Sequence, residues 1–296
     1  MWIAPKIYFE IKYRVIYGKK CNLKQPKTFS EKLIWLNTNV YNKSSLIAIL
    51  GDKAKVKEYL NNLGYGEYVI PNYFVYQSPD EIELSSLPNQ FALKLSVGCG
   101  TNYVCFDKNN LNYEELLSRV NQWIKVGFFE RNARFVGKPH KEVIVCEKVI
   151  GKDYIAPVDY KFYCFNGKPM AILCVSERNT DTKHGCFMSL DWNLIEDLGE
   201  SHPKKYAKLL ELPEKPMNLN RMVSISQELS APFPFMRIDL YDVDGEIRFG
   251  EFTMAPGGCI GVSETIVDGK SMGDLLELNL EEFYKAENEA VEWINN

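Results

Sequence analysis

Three oxygen-bearing side chains near the C-terminus have the spacing of a cation site. Asp239 sits in the run Phe235-Met236-Arg237-Ile238-Asp239-Leu240-Tyr241, and Glu251 in Ile247-Arg248-Phe249-Gly250-Glu251-Phe252-Thr253. Between them, Val243-Asp244-Gly245 reads as a tight turn, so the two runs form a hairpin that can set both carboxylates on one face. Thr253 lies two residues past Glu251 and points the same way, because strand side chains repeat every second residue. Hard oxygen donors suit Mg²⁺, which takes one or two carboxylates and completes its shell with phosphate and water. From these residues alone, a hairpin with ordinary exposed charges is the simpler reading.

A glycine turn shifts that balance. Phe91-Ala92-Leu93-Lys94-Leu95 reads as a strand entering Ser96-Val97-Gly98-Cys99-Gly100, and Tyr103-Val104-Cys105-Phe106 as a strand leaving it. Gly98 and Gly100 let the backbone approach a ligand, so that amides cradle phosphate oxygens while Lys94 supplies a point charge. Glycine turns alone are a weak signal, and neither Gly-x-x-x-x-Gly-Lys-Ser/Thr nor Gly-x-Gly-x-x-Gly fits, which disfavours a P-loop or a Rossmann site. A third piece is Val143-Ile144-Val145-Cys146-Glu147-Lys148-Val149-Ile150-Gly151, a strand whose unpaired end can read an adenine edge, with Asp153 beyond it for ribose hydroxyls. Lys161 and Arg178 add cations at strand ends that can meet a terminal phosphate; each alone reads as a surface charge.

The elements that must position these groups follow an α+β rhythm. Residues 1–20 interleave Trp2, Tyr8, Phe9, Tyr13 and Tyr17 with Lys6, Lys12, Arg14, Lys19 and Lys20, as in a helix docked on the body or, alternatively, resting on a membrane surface. Thr28 or Ser30 can cap a helix with Leu33 and Leu36 inside, and Asp52 can cap one closed by Gly64. A short strand is expected near residues 68–73, a helix near 113–126 and a strand over 142–150. Asp159–Phe165 and Pro169–Val175 pair around Asn166-Gly167. A helix over 217–230 puts Met217, Met222, Val223, Ile225 and Leu229 on one face. With no low-complexity linker, the expected division is an N-terminal helical segment (1–50), a linking stretch (51–89), a small lid lobe (90–150) and a C-terminal lobe (151–296).

Composition narrows the classes. The 296 residues carry 35 Lys plus Arg against 39 Asp plus Glu, a net charge of −4, with 46% hydrophobic and 25% charged residues, which excludes a disordered or collagen-like chain. No run approaches the roughly 18 apolar residues of a membrane-spanning helix, and the mild acidity argues against broad duplex nucleic-acid binding. Eight cysteines and three histidines (His140, His184, His202) form no Cys-x-x-Cys or His-x-x-x-His pair. Buried reduced thiols, and hence a cytoplasmic location, are expected.

Taken in order, these pieces resemble the ATP-grasp superfamily, and more narrowly the TupA-like ATP-grasp family named for teichuronopeptide biosynthesis, whose members are often labelled glycosyltransferases. The resemblance runs from about residue 20 to residue 278. It is carried by Pro26-Lys27-Thr28-Phe29-Ser30-Glu31-Lys32-Leu33-Ile34-Trp35, Leu87-Pro88-Asn89-Gln90-Phe91-Ala92-Leu93-Lys94, Asp159-Tyr160-Lys161-Phe162-Tyr163-Cys164-Phe165-Asn166-Gly167-Lys168-Pro169, and the two strands bearing Asp239 and Glu251. It implies an α+β ATP-grasp fold with ATP and Mg²⁺ between two lobes. Lys53 and Lys94 would then hold the α/β-phosphates, aided by Gly98 and Gly100. Glu147, Lys148 and Ile150 would meet adenine and Asp153 ribose. Lys161, Arg178 and Arg237 would serve catalysis, and Asp239, Glu251 and Thr253 the metal.

The implied reaction joins a carboxylate to an amine through an acyl phosphate. Its expected partners are ATP, a sugar or glycan carboxylate and an amine, in the building of capsular or other cell-surface polysaccharide at the cytoplasmic side. Two departures stand out: Ser96-Val97-Gly98-Cys99-Gly100 replaces the family's Asn-His-Gly-Ser-Gly, and Thr253 replaces the superfamily's usual Asn. Rival readings are a phosphotransferase acting on a hydroxyl, a catalytically silent binding protein, and a sugar-nucleotide glycosyltransferase using Asp242-Val243-Asp244, although that triplet fits turn chemistry better. Pro256-Gly257-Gly258 reads equally as a substrate-pocket wall or as a turn.

Overall fold

A computed structural model describes residues 5–125, 141–151, 156–176, 184–196, 212–261 and 264–295. Trp2, His140, Asp153, Arg178 and His202 therefore lie outside the described residues.

The chain begins with helices α1 (Pro5–Tyr17), α2 (Phe29–Asn39), α3 (Ser45–Leu50) and α4 (Lys55–Asn62). Helix α2 starts at a capping box, in which Thr28 Oγ1 accepts from the Glu31 amide and Glu31 Oε2 from the Thr28 amide, both at 3.2 Å. Leu33 and Leu36 are buried, as their spacing requires. Asp52 accepts from the amides of Ala54 and Lys55 at 2.8 and 3.0 Å. Those bonds close a turn that holds Lys53 just before helix α4, which ends before Gly64 at φ +85°.

A small sheet follows, built from β1 (Asn72–Tyr76), β2 (Phe91–Leu95), β3 (Asn102–Cys105) and β4 (Ile144–Glu147) in the order β1-β4-β2-β3, all antiparallel. Helix α5 (Tyr113–Lys125) lays Leu116 and Val120 on a core of Phe91, Leu93, Leu95 and Cys146. Alternation along β2 therefore turns Lys94 to the opposite face, which explains a lysine inside an apolar strand. The first strand lies later than its expected position near 68–73. Gly66–Tyr68 form a 3₁₀ turn instead, and Pro71, which has no amide hydrogen, offers its carbonyl to the Lys148 amide at 3.0 Å just before β1. The stretch 51–89 thus supplies an edge strand and is more than a link.

A five-stranded antiparallel sheet, ordered β7-β6-β5-β8-β9, forms the second layer. Its strands are β5 (Asp159–Phe165), β6 (Lys168–Ser176), β7 (His184–Met188), β8 (Phe235–Val243) and β9 (Glu246–Thr253), with helix α6 (Leu219–Ser230) between β7 and β8. Met222, Ile225 and Leu229 of α6 are buried, but Met217 precedes the helix and is 87% exposed. Both tight turns have left-handed pairs, Asn166-Gly167 (φ 49° and 74°) and Asp244-Gly245 (φ 55° and 82°), matching the twist of two-residue hairpins. Short strands β10 (Ile266–Val267) and β11 (Lys270–Ser271) lead to helices α7 (Met272–Leu275) and α8 (Glu281–Asn295).

The N-terminal helices share one core with this larger sheet. Phe29 packs against Phe165 and Phe235, with ring centroids 5.6 and 4.9 Å apart, and Glu287 of α8 accepts from the Ser45 and Leu46 amides at the start of α3 at 2.7 and 3.1 Å. Residues of the N-terminal segment and of the C-terminal lobe therefore interlock in one core. Six of the eight cysteines are buried, Cys186 is half-buried and Cys99 is exposed.

Candidate active site

A cleft of about 430 Å³ runs between the two sheets. Lys53, Lys94, Gly98, Gly100, Glu147, Lys148, Ile150, Asp239 and Glu251 all line it, so nine of the residues singled out in the sequence meet in one place although they span 199 positions from the first to the last. Gly98 and Gly100 have φ of 90° and 79°. A Cβ at Gly100 would meet nothing within 4 Å, so that glycine is required by its backbone conformation and not by lack of room.

One wall is cationic. Lys53 reaches across to donate to the Gly98 carbonyl at 2.7 Å, and its backbone amide donates to Ser96 O at 2.7 Å. Burial pushes the Lys53 ammonium below the ordinary lysine range, with Glu251 acting in the other direction. The Glu147 carboxylate lies between two lysines, accepting from Lys94 through Oε1 and from Lys57 through Oε2 at 2.9 Å. Lys57 also contacts Asn72 Oδ1. Burial would raise the Glu147 carboxyl, but the ammonium groups of Lys94 and Lys57 outweigh it and hold the group below its usual range.

This geometry adds to what was expected of the β4 end. The Glu147 side chain, at the cleft wall, holds two lysines, and the Lys148 amide donates to the Pro71 carbonyl. Lys57 was not anticipated. Its signal is the four-residue spacing of Lys53 and Lys57: Lys53 stands in the turn before helix α4, Lys57 lies one turn on, and both line the cleft.

The other wall is anionic at the cleft and cationic behind it. Asp239 on β8 stands opposite Glu251 on β9 and opposite Lys161 on β5. Arg237 grips Asp239 with both arms, Nε to Oδ1 at 2.7 Å and an η-nitrogen to Oδ2 at 2.8 Å, and reaches Glu251 Oε1 at 3.0 Å. Burial would raise the Asp239 carboxyl, but Arg237 and Lys161 overcome it and keep the group below the usual carboxylate range. Lys161, expected near a terminal phosphate, is buried with its ammonium between Asp159 and Asp239; two carboxylates on the sheet hold it away from the cleft. Thr253, expected among the metal donors, accepts from Arg237 at 2.9 Å and donates to Glu251 at 3.0 Å, which orients that carboxylate. Arg178 and Asp153 lie outside the described residues.

A bulge sets the pairing of the two acids. Asp239 faces Glu251 while Leu240 faces Phe249, so Gly250 is the extra residue on β9. A Cβ there would lie 2.8 Å from the Tyr241 ring and 3.0 Å from the Asp239 carbonyl. Among the described residues no third His, Cys, Asp or Glu joins these two acids. A pair of oxygen donors with room beside it fits Mg²⁺, which keeps water and phosphate in its shell, better than it fits Ca²⁺ or Zn²⁺. Asp242, by contrast, accepts from the Asn218 amide at 3.0 Å, and Asp244 occupies the left-handed turn, so Asp242-Val243-Asp244 is turn architecture.

Comparison with known proteins follows the same lines. The profile of a family described as "TupA-like ATPgrasp" matches residues 31–276. No curated protein matches the chain. Among solved structures, the ATP-grasp ligase PsnB complexed with minimal precursor is similar at TM-score 0.43 and 12% identity, covering 83% of this chain and 66% of that one. The D-alanine–D-alanine ligase from Bacillus anthracis complexed with ATP is similar at TM-score 0.44 and 16% identity over 82% of this chain and 68% of that one. The corresponding ligase from Helicobacter pylori is similar at 0.43 and 12%, over 78% and 63%. The chain thus spans 63–68% of the length of these structures.

Proposed function

Because the chain belongs to the TupA-like ATP-grasp family, we propose that it is an ATP-dependent carboxylate–amine ligase whose nucleotide lies in the cleft between the sheets. The observation that carries this reading is the opposition of the two walls: Lys53, Lys94 and the glycine turn face Asp239 and Glu251 across one cavity. Triphosphate needs cations and backbone amides, and its metal needs carboxylates on the other side. Asp239 and Glu251 would hold Mg²⁺, which when bound withdraws charge from the phosphate oxygens.

In the proposed reaction, an oxygen of the substrate carboxylate attacks the γ-phosphorus, the bond to the β-bridging oxygen breaks, and ADP and an acyl phosphate result. An amine then attacks the acyl carbon, phosphate leaves, and the nitrogen gives up a proton to form the amide. Lys53 and Lys94 hold the α/β-phosphates, and Lys57 acts through Glu147 to keep Lys94 in place. Arg237, behind the carboxylate wall, would hold Asp239 and Glu251 in place for the metal, and its positive charge would favour the charge that develops on the transferred phosphoryl group. The finer assignment is a sugar or glycan carboxylate joined to an amino acid or amino sugar, for cell-surface polysaccharide.

Calorimetric titration with ATP, with and without Mg²⁺, tests the site. Mg²⁺-dependent binding that Lys94→Ala weakens by about tenfold or more is expected, from loss of a charge-assisted contact; binding of a UDP-sugar with no ATP signal would overturn the reading. Phosphate release that needs both an acid and an amine then separates a ligase from a phosphotransferase, which makes ADP without releasing phosphate.

A further inference from the structure

Helix α1 has two faces. Phe9 and Tyr13 are buried, Tyr13 meets Thr28 at 3.4 Å, and Tyr17 accepts from the Gly261 amide at 2.9 Å and meets Ser30 at 3.0 Å. These contacts fix the helix to α2 and to the loop that continues from the carboxylate-bearing strand β9. On the opposite face Ile7, Ile11 and Val15, spaced four residues apart, are 50%, 54% and 78% exposed. Packing on the body accounts for the first face and leaves the second unexplained, since three aliphatic side chains in line are held rigidly in water.

Charge identifies what such a stripe would meet. Residues 1–27 hold seven Lys and Arg and a single acid, Glu10, a net of +6 in a chain whose total is −4, so the remaining residues carry −10. Lys6, Arg14, Lys19, Lys20, Lys24 and Lys27 are exposed around the stripe. An aliphatic ridge flanked by cations on a helix is the pattern of an element lying in the plane of a bilayer surface, with its ridge among the acyl chains and its cations on anionic headgroups. Among the described residues no helix is long and apolar enough to cross a membrane, so any such contact is made at the surface. A nucleic-acid partner would use the cations but not the ridge.

We propose that α1 and the lysines after it dock this protein on a bilayer surface that carries anionic lipids. The test is co-sedimentation of the full chain with vesicles of phosphatidylcholine, alone or mixed with phosphatidylglycerol. Wild type is expected to pellet with the mixed vesicles, to stay in solution with phosphatidylcholine alone and to be released by salt. Combined Ile7→Ser, Ile11→Ser and Val15→Ser should lower the partition at least about tenfold while the chain still unfolds cooperatively, because these side chains are half or more exposed and lie outside the buried core. Lys19→Glu with Lys20→Glu is a second variant that leaves the helix untouched and should lower it too. Wild type that ignores mixed vesicles, or variants that bind as wild type does, would overturn the proposal. So would a wild-type dimer in light scattering that the serine variant turns into a monomer, since the stripe would then be a self-association face.

Discussion

The two walls of the cleft use the same device in opposite senses. On the small sheet a buried carboxylate, Glu147, is clamped by Lys57 and Lys94, and the side chain left accessible is a cation, with Lys94 27% exposed. On the large sheet a buried carboxylate, Asp239, is clamped by Lys161 and Arg237, and the side chain left accessible is an acid, with Glu251 48% exposed. Each wall therefore presents to the cleft a charge of one sign, held in place by a buried counter-charge, as the proposed nucleotide and metal would require. Breaking a buried pair costs more than removing an exposed member, because it strands an uncompensated charge. The comparison yields an order of effects.

Asp239→Asn should be the most damaging change, lowering stability by about 3–5 kcal/mol, since Arg237 and Lys161 lose a fully buried partner; urea unfolding measures it, and a loss under 1 kcal/mol would mean the cluster relaxes into water. Glu147→Gln should cost about 1–3 kcal/mol, because Lys57 and Lys94 lie nearer the solvent, and should weaken ATP binding along with it. Gly250→Ala should cost about 1–3 kcal/mol through the clash with Tyr241 and the Asp239 carbonyl. It sharpens the comparison by disturbing the carboxylate wall alone, so metal dependence should suffer while binding of metal-free nucleotide is spared. Glu251→Gln should change stability by no more than about 0.5 kcal/mol yet abolish turnover; unchanged turnover would sink the metal assignment.

The smallest effect is on pH dependence. Glu147 and Asp239 both have carboxyls held below their usual range, so each contributes stability that is present above the unfolded-state value and is lost as pH falls through the folded-state value. Wild type should lose stability in acid over that window, and Glu147→Gln should flatten the slope less than Asp239→Asn does. Equal slopes in all three proteins would show that other carboxylates control acid unfolding.

Much of the arrangement was legible in local pattern. Thr28 with Glu31, Asp52 before a helix, and Asn-Gly and Asp-Gly between apolar runs specify caps and turns through backbone chemistry confined to a few neighbours. Lys94 stood out because an ammonium in an apolar strand needs a face of its own. The lysine clamp on Glu147 was harder to read, because its members come from residues 57, 94 and 147 and nothing local ties one to another. The partners of Lys161 were hidden for the same reason: a lysine at a strand start says nothing about the two carboxylates that flank it until β5 pairs with β8.

The hairpin shows where the division falls. The sequence alone determined the turn at Asp244-Gly245, the apolar positions of both strands and the presence of two acids near one another. With that two-residue turn and uninterrupted pairing, Asp239 would face Gly250 and Glu251 would face Ile238 on the apolar side, away from the cleft. Only the tertiary structure decided otherwise. Phe252 is buried where strict alternation from Ile247 and Phe249 would expose it, and Gly250 takes up the extra residue without a side chain to collide with Tyr241. A one-residue slip reverses every side chain beyond it, so the bulge that buries Phe252 is what turns Glu251 to stand beside Asp239.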